Sequence, residues 1–226
     1  IFVPHGNSVE KNAAMRSLGA DVVEFGADFQ EARERSLEVA TERGLEPVPP
    51  FHRDLVLGVA TYALELFEGA GPLDTVYVPV GMGSGINALI AVRDLLGLDT
   101  AIVGVVSDRA PSTLLSFERG EVVGTESAPT FVDGVATRSP DPVAIAGILA
   151  GAARVIAVSD TATADAMRIV FRTTHNVAES AGAIALAGLL SEPPDRRGAR
   201  SAFVLCGGNV DTAQFHAVLG GATPAP

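Results

Sequence analysis

The stretch from Leu73 to Gly97, LDTVYVPVGMGSGINALIAVRDLLG, constrains the fold more than any other. Val76 to Val80 is a short apolar, β-branched run, the pattern of a buried strand. It passes directly into Gly81-Met82-Gly83-Ser84-Gly85. Ile86, Leu89, Ile90, Val92, Leu95 and Leu96 then recur at helical spacing until Gly97. A strand, a glycine loop and a helix N-terminus in that order build an anion site. Glycines let backbone N–H groups turn inward, and the helix dipole adds partial positive charge. A phosphate is the natural guest. A tight strand-to-helix turn with no ligand also recruits glycine, so the loop taken alone leaves both readings open.

The same alternation of strand and helix repeats along the chain. Ser8 is placed to cap a helix with apolar positions Ala13, Ala14 and Leu18, stopped by Gly19. Asp21–Phe25 reads as a strand. Asp28 and Glu31 form a capping box before a helix with Phe29, Ala32, Ser36 and Ala40 on one face, closed by Gly44. The bend carrying Pro47, Pro49 and Pro50 is the expected crossing between two domains, residues 1–48 and 49–226. A helix around Val56–Glu68 then leads to the central strand. Ala101–Val106, Arg154–Val158 and Ser201–Leu205 read as further strands. Pro111 and Asp141-Pro142 open helices, and Ser159 or Asp160 caps a long one. Glu179–Leu190 is a small-residue helix able to pack closely. Phe131-Val132-Asp133-Gly134 is expected to be a strand end turning on glycine. This series predicts an α/β protein with an open, mostly parallel sheet and helices on both faces. Ligands then sit outside the carboxyl ends of the strands.

Charge and composition exclude several function classes. The 27 acidic residues against 16 basic ones leave a net charge of −11, which argues against nucleic acid or an anionic membrane surface as partner. No apolar run is long enough to span a bilayer, and no signal-peptide pattern is present. The single cysteine excludes an internal disulfide framework and suits a reducing cytoplasm. His5, His52, His175 and His216 are scattered, with no H-E-x-x-H or paired-cysteine spacing, so no metal site is expected. His52 follows the proline bend within reach of a site mouth, although a surface histidine is the simpler reading. Arg33, Arg35 and Arg43 share a helix with several glutamates and read as a solvated face.

Six short stretches, in order, resemble one enzyme family. Asn12 to Val22 is similar to the "K-x-x-x-M-R-x-L-G-A-E-V" helix and strand of fold-type II pyridoxal-phosphate enzymes. Pro50-Phe51-His52 resembles their "P-F-D", and Gly81-Met82-Gly83-Ser84-Gly85 their loop for the cofactor phosphate. Asp133-Gly134-Val135-Ala136 resembles "D-G-I-A", and Glu179-Ser180-Ala181-Gly182-Ala183 resembles "E-P-S-G-A". Leu205-Cys206-Gly207-Gly208-Asn209-Val210-Asp211 resembles "L-S-G-G-N-V-D". The threonine/serine dehydratases are the nearest group, with serine racemase beside them. The resemblance implies pyridoxal 5'-phosphate as cofactor, contacted by Gly81, Met82, Gly83, Ser84, Gly85, Gly134, Glu179, Cys206 and Gly207. It implies a lyase that removes the β-hydroxyl and amino group of threonine, serine or a related hydroxy amino acid, giving a 2-oxo acid and ammonia. A cytoplasmic homodimer acting on a small amino acid is the matching expectation. Cys206 takes the position facing the pyridine nitrogen. A thiol is a weak donor without fixed negative charge, so it would favour elimination over transamination.

The departures carry expectations of their own. The family's Schiff-base lysine and the asparagine beside the cofactor hydroxyl lie upstream of Ile1, and the only lysine here is Lys11. On a helix's first turn it is expected to be exposed, with an ordinary pKa of about 10.4. The opening Ile1-Phe2-Val3-Pro4 reads as the end of a buried strand. A missing N-terminal segment is therefore expected, with apolar surface uncovered where it packs and an opening strand lacking a neighbour. The end soon after the Cys206 motif leads to an expectation of no feedback by a distal amino acid. Ser107 stands where metal-binding relatives carry a carboxylate, followed by Asp108. Two rivals remain beside the lyase. A dinucleotide-binding oxidoreductase would use Asp108 on the ribose, although Ile86 occupies the third glycine position of its fingerprint. A degenerate relative would bind a ligand or partner without turnover.

Overall fold

Residues 1–226 are described by a computed structural model, and its architecture is built around two parallel sheets. The larger contains β3 (Thr75–Pro79), β4 (Ala101–Ser107), β5 (Arg154–Val158) and β6 (Ser201–Phe203), in the order β5-β4-β3-β6. Thr75 pairs with Ala101 on one side and Ser201 on the other, and Val103 with Arg154, all parallel. The smaller sheet pairs β1 (Phe2–Val3) with β2 (Val23–Glu24), so the opening strand does have a neighbour, contrary to expectation.

The strand residues alternate between two cores, as the pleat requires. Val76, Val78 and Val80 pack with Ile102 and Val106 into one apolar cluster. Helices α3 (Arg53–Ala70), α4 (Ser84–Leu95) and α6 (Pro142–Gly151) cover it with Phe67, Leu89 and Ile148. On the opposite face, Tyr77, Val103 and Val105 pack against α7 (Asp160–Thr174) and α8 (Ser180–Ser191), through Met167 and Ile184. That second layer is close because α8 is built from small residues: a Cβ on Gly188 would stand 2.6 Å from a Val105 methyl. With both faces covered, the strands read as continuous apolar runs.

Most helix starts follow their local chemistry. Ser8 caps α1 (Val9–Ser17), Asp28 caps α2 (Phe29–Arg43), Asp141 caps α6 and Ser159 caps α7, each accepting from a first-turn N–H. Glu31 completes its box one residue early, accepting from the Ala27 N–H at 2.9 Å. Pro111 precedes α5 (Ser112–Arg119), which ends on left-handed Gly120. Two expectations fail. Phe131–Gly134 is no strand end but runs into a 3-10 turn at Asp133–Val135. The apolar face expected for α1 is reversed: Leu18 is 88% exposed, and Asn12 is the buried residue, held by the Asn7 side chain. There a polar contact outcompetes the small apolar area that two alanines can bury.

One polar cluster crosses the second core. The buried Tyr77 hydroxyl and the Arg154 guanidinium both bond to the Glu192 carboxylate, itself 8% exposed. Burial pushes the Glu192 pKa up, but Arg154 and Tyr77 overcome this and hold it below the usual carboxylate value. Burial first, and Glu192 second, push Tyr77 up to about 12. A depressed carboxylate stabilises the fold above its unfolded-state pKa, and that stability disappears as the pH falls through the folded value. Glu192→Ala should therefore cost about 2–3 kcal/mol at pH 7, because it strands a buried hydroxyl and a guanidinium. In denaturant titrations the gap between the variant and the parent should narrow as the pH drops below about 4.

Candidate active site

In the larger sheet, β4 and β5 follow β3 in one direction, whereas β6 returns to the other side of β3. The strand order therefore reverses between β3 and β6, and an open parallel sheet has its natural crevice at such a point. A cavity of about 560 Å³ lies there. The end of β3 (Val78, Pro79), the glycine loop and the segment Val204–Cys206 after β6 wall it, with Gly134 and Ala181 opposite and Tyr62 of α3 at the side.

The loop meets the cavity with unused donors. Gly83 stands at the N-terminus of α4 with φ +97°, a left-handed backbone that favours glycine, and no side chain caps the helix. Asn87 folds back instead, donating to the Gly83 carbonyl at 2.8 Å and the Ala144 carbonyl at 3.1 Å, which pins the loop to α6. Four other helices of the chain carry a side-chain oxygen where α4 has none. Its first N–H groups and its positive dipole end are left for a ligand. Space at this end is set by backbone contact: a Cβ on Gly81 would stand 2.4 Å from the Gly134 carbonyl oxygen. An anion with a compact head fits this cradle, so the residues present suit a phosphate.

The opposite wall is nearly neutral. The Cys206 thiol lies 3.6 Å from the Ala181 carbonyl. The residue opens onto the cleft, yet protein surrounds its sulfur. That enclosure, and the Glu179 charge second, push the thiol up to about 11. It is therefore uncharged at neutral pH. Tyr62, whose hydroxyl reaches the Gly85 carbonyl at 3.3 Å, is raised still further by burial, with Cys206 second.

Gly81, Met82, Gly83, Ser84, Gly85, Gly134 and Cys206 thus line one cavity. Glu179 and Gly207 stand just behind it. The Glu179 N–H donates to the Gly207 carbonyl at 3.1 Å, and a Cβ on Gly207 would meet a Glu179 carboxylate oxygen at 2.4 Å. Lys11 departs from expectation. It is not exposed but sits with its side chain 24% accessible, its ammonium 2.8 Å from Asp133 and 3.1 Å from Glu179. Burial lowers its pKa, yet the two carboxylates more than offset this and raise it above the ordinary value. It lines the neighbouring clefts and not the glycine-loop cavity. His52 caps α3 through its ring and is likewise absent from the cavity wall. Ser107 is buried and donates to Asp160 at 3.0 Å; Thr130 shares that carboxylate at 2.6 Å, so Asp160 is a hub joining β4, α7 and the loop. No spacing in the sequence signals the contacts of Lys11 or Asp160, because both join segments far apart in the chain.

Residues 1–207 match the family of pyridoxal-phosphate dependent enzymes. The chain belongs to that family. It is 30% identical to an L-threonine ammonia-lyase of Thermotoga maritima over 97% of its own length and 55% of that protein's. It is 28% identical to an L-threo-3-hydroxyaspartate ammonia-lyase of a Pseudomonas species, covering 98% of this chain and 70% of the relative. The processed form of threonine deaminase isoform 2 from Solanum lycopersicum superimposes with a TM-score of 0.88 at 28% identity, over 99% of this chain and 66% of that one. The chain thus spans little more than half of the Thermotoga relative. The shared architecture is the fold-type II α/β fold, whose cofactor is pyridoxal 5'-phosphate.

Alanine at Gly81 should push the Gly134 turn away from the loop and weaken pyridoxal-phosphate binding at least about tenfold in a fluorescence titration. Gly97, also left-handed at φ +63° but facing open space, provides the control. Gly97→Ala should cost about 1 kcal/mol of stability and leave the affinity unchanged.

Proposed function

We propose that this chain forms the cofactor-holding part of a pyridoxal-phosphate-dependent ammonia-lyase that acts by β-elimination on a small hydroxy amino acid. The reading is carried by one observation: the uncapped N-terminus of α4 opens into the switch-point cavity opposite a neutral thiol. Backbone N–H groups of Gly83, Ser84 and Gly85 would take the phosphate, with the Ser84 hydroxyl as an extra donor. Gly81 and Gly134 leave room for the approach, and Ala181 and Val204 wall the cavity, where they would shield the cofactor from water. Cys206 would face the pyridine nitrogen. As a neutral group it supplies no counter-charge to keep that nitrogen protonated, which supports elimination over transamination. Glu179 stands behind it as a fixed carboxylate. When bound, pyridoxal phosphate supplies the electron sink for loss of the Cα proton and the β-substituent.

The lysine that would hold the cofactor and serve as base is not assigned to this chain. Lys11 stays protonated between two carboxylates and outside the cavity, which makes it a poor nucleophile toward an aldehyde. The substrate class rests on the named relatives, which include threonine and threo-3-hydroxyaspartate ammonia-lyases. Division into domains 1–48 and 49–226, a homodimeric state and a cytoplasmic location belong to the same proposal; the free Cys206 supports the last. No helix is long and apolar enough to cross a membrane. The dinucleotide reading loses its footing at Ile86, which is fully buried in the core where the fingerprint needs glycine.

Three measurements test the reading on the full protein. Release of 2-oxo acid and ammonia should be seen with L-threonine, L-serine or L-threo-3-hydroxyaspartate. A protein that binds the cofactor yet releases neither from any of the three would contradict the activity. Cys206→Asp should lower ammonia release relative to transamination, and an unchanged partition would remove Cys206 from its assigned contact. Borohydride reduction of the loaded protein followed by peptide mapping should leave Lys11 unlabelled.

A further inference from the structure

Lys11 is the chain's only lysine, and neither the phosphate cradle nor the thiol wall uses it. Its placement is nevertheless costly and specific. The ammonium reaches Asp133, the residue before Gly134, and Glu179, the residue at the head of α8. Each partner supports one wall of the cavity. The Gly134 carbonyl abuts Gly81 in the phosphate loop. The Glu179 carboxylate abuts Gly207, next to Cys206, and its own N–H is bonded to the Gly207 carbonyl. A single cation therefore joins the two loops that close the site, Asp133–Gly134 and Cys206–Gly207, and it comes from neither of them.

The helix that carries it cannot easily turn away. Asp211 accepts from the Ser8 hydroxyl and from the Val9 N–H at 3.2 Å, at the start of α1. In return Glu10 accepts from the Thr212 N–H at 2.8 Å, at the start of α9 (Thr212–Leu219). Two helix N-termini thus meet with a carboxylate from each satisfying the donors of the other. Like dipole ends would otherwise repel, and each carboxylate answers the opposing charge. Lys11 stands in the first turn of α1, directly after this double cap, so its stem is anchored on the C-terminal segment that also contains Cys206 and Gly207.

We propose that Lys11 is a positioning residue for the cavity: its ammonium holds Glu179 against Gly207 and holds Asp133 so that Gly134 stays seated on Gly81. Of the two links the one to Glu179 is the stronger. Glu179 is 17% exposed and Asp133 51%, so water screens the second pair far more. Without the ammonium, the Glu179 carboxylate lies unpaired beside a raised thiol and a backbone carbonyl, and moving out to solvent becomes its best option. Gly207 and Cys206 then lose their support. The meaning of "cavity" as a cofactor site rests on the function proposed above; the clasp itself does not.

The test uses the full protein, with and without pyridoxal phosphate, as Lys11→Gln, Lys11→Arg and Glu179→Gln variants. Hydrogen exchange read by peptide mass spectrometry should show about tenfold faster exchange at residues 131–136 and 205–210 in Lys11→Gln. The β3 and β4 peptides should be unchanged. Lys11→Arg should restore most of the protection, and Glu179→Gln should mobilise 205–210 while affecting 131–136 less. Pyridoxal-phosphate affinity should fall at least about tenfold in Lys11→Gln. Uniformly faster exchange across the whole sheet would reduce Lys11 to a structural residue and overturn the proposal. Unchanged exchange in both loops would do the same, as would an arginine variant no better than the glutamine one. If Lys11→Gln does not fold, protection of 205–210 in Glu179→Gln equal to the parent's would itself refute the clasp. Failure of the parent protein to bind pyridoxal phosphate would count against the proposed function alone, because the exchange pattern is read without the cofactor.

Discussion

Everything in the site depends on one approach of backbone to backbone, Gly81 against the Gly134 carbonyl. A single methyl group at Gly81 would be 2.4 Å from that oxygen. The contact brings a loop from after α5 onto the end of β3 and turns a sheet crevice into a walled cavity. It also explains why the glycine loop needs glycine in two distinct senses. Gly83 is required for its left-handed backbone and Gly81 for the absence of a side chain. On the other wall α8 repeats the device, since a Cβ on Gly182 would stand 2.2 Å from the Gly207 carbonyl. Small residues here serve close approach, and the loss of side-chain contacts is offset by the two apolar cores on either face of the sheet.

The electrostatics divide the cavity into two halves. At the α4 end, uncapped N–H groups and the dipole offer positive potential. At the Cys206 end, a thiol kept neutral and a carboxylate behind it offer none. Burial drives the thiol upward, and the Glu179 charge adds to it. The same charge is compensated from outside by Lys11, so the site's polarity is set by residues that do not touch its contents. Asp160 acts likewise further out, collecting Ser107, Thr130 and the Phe131 N–H beneath the turn that carries Gly134.

The parts that could be read in the sequence are those governed by neighbours in the chain. Ser8, Asp28, Asp141 and Ser159 cap the helices they precede because capping needs only three or four consecutive residues. The β3 strand, its glycine loop and α4 follow for the same reason, as does the presence of Gly134 and Cys206 in motifs of known order. What escaped is governed by distance in space. Lys11 looked like a solvated lysine because its partners lie 122 and 168 residues away. Phe131–Val132 looked like a strand because both residues are apolar. They are buried, but under α7 and α8 and without a strand partner, so the chain closes into a 3-10 turn. Burial and strand pairing give the same local pattern, and only the fold separates them.

The central claim is that the α4 N-terminus receives the phosphate of pyridoxal phosphate. Phosphorus NMR of the loaded protein tests it most directly. A monoester phosphate free in water titrates near pH 6. Held by backbone N–H groups and a helix dipole it should remain a dianion, so its resonance should stay fixed between about pH 5 and 8 and move only when Gly83 is replaced by a bulkier residue. A phosphate resonance that titrates as it does in water, with the cofactor bound, would contradict the account.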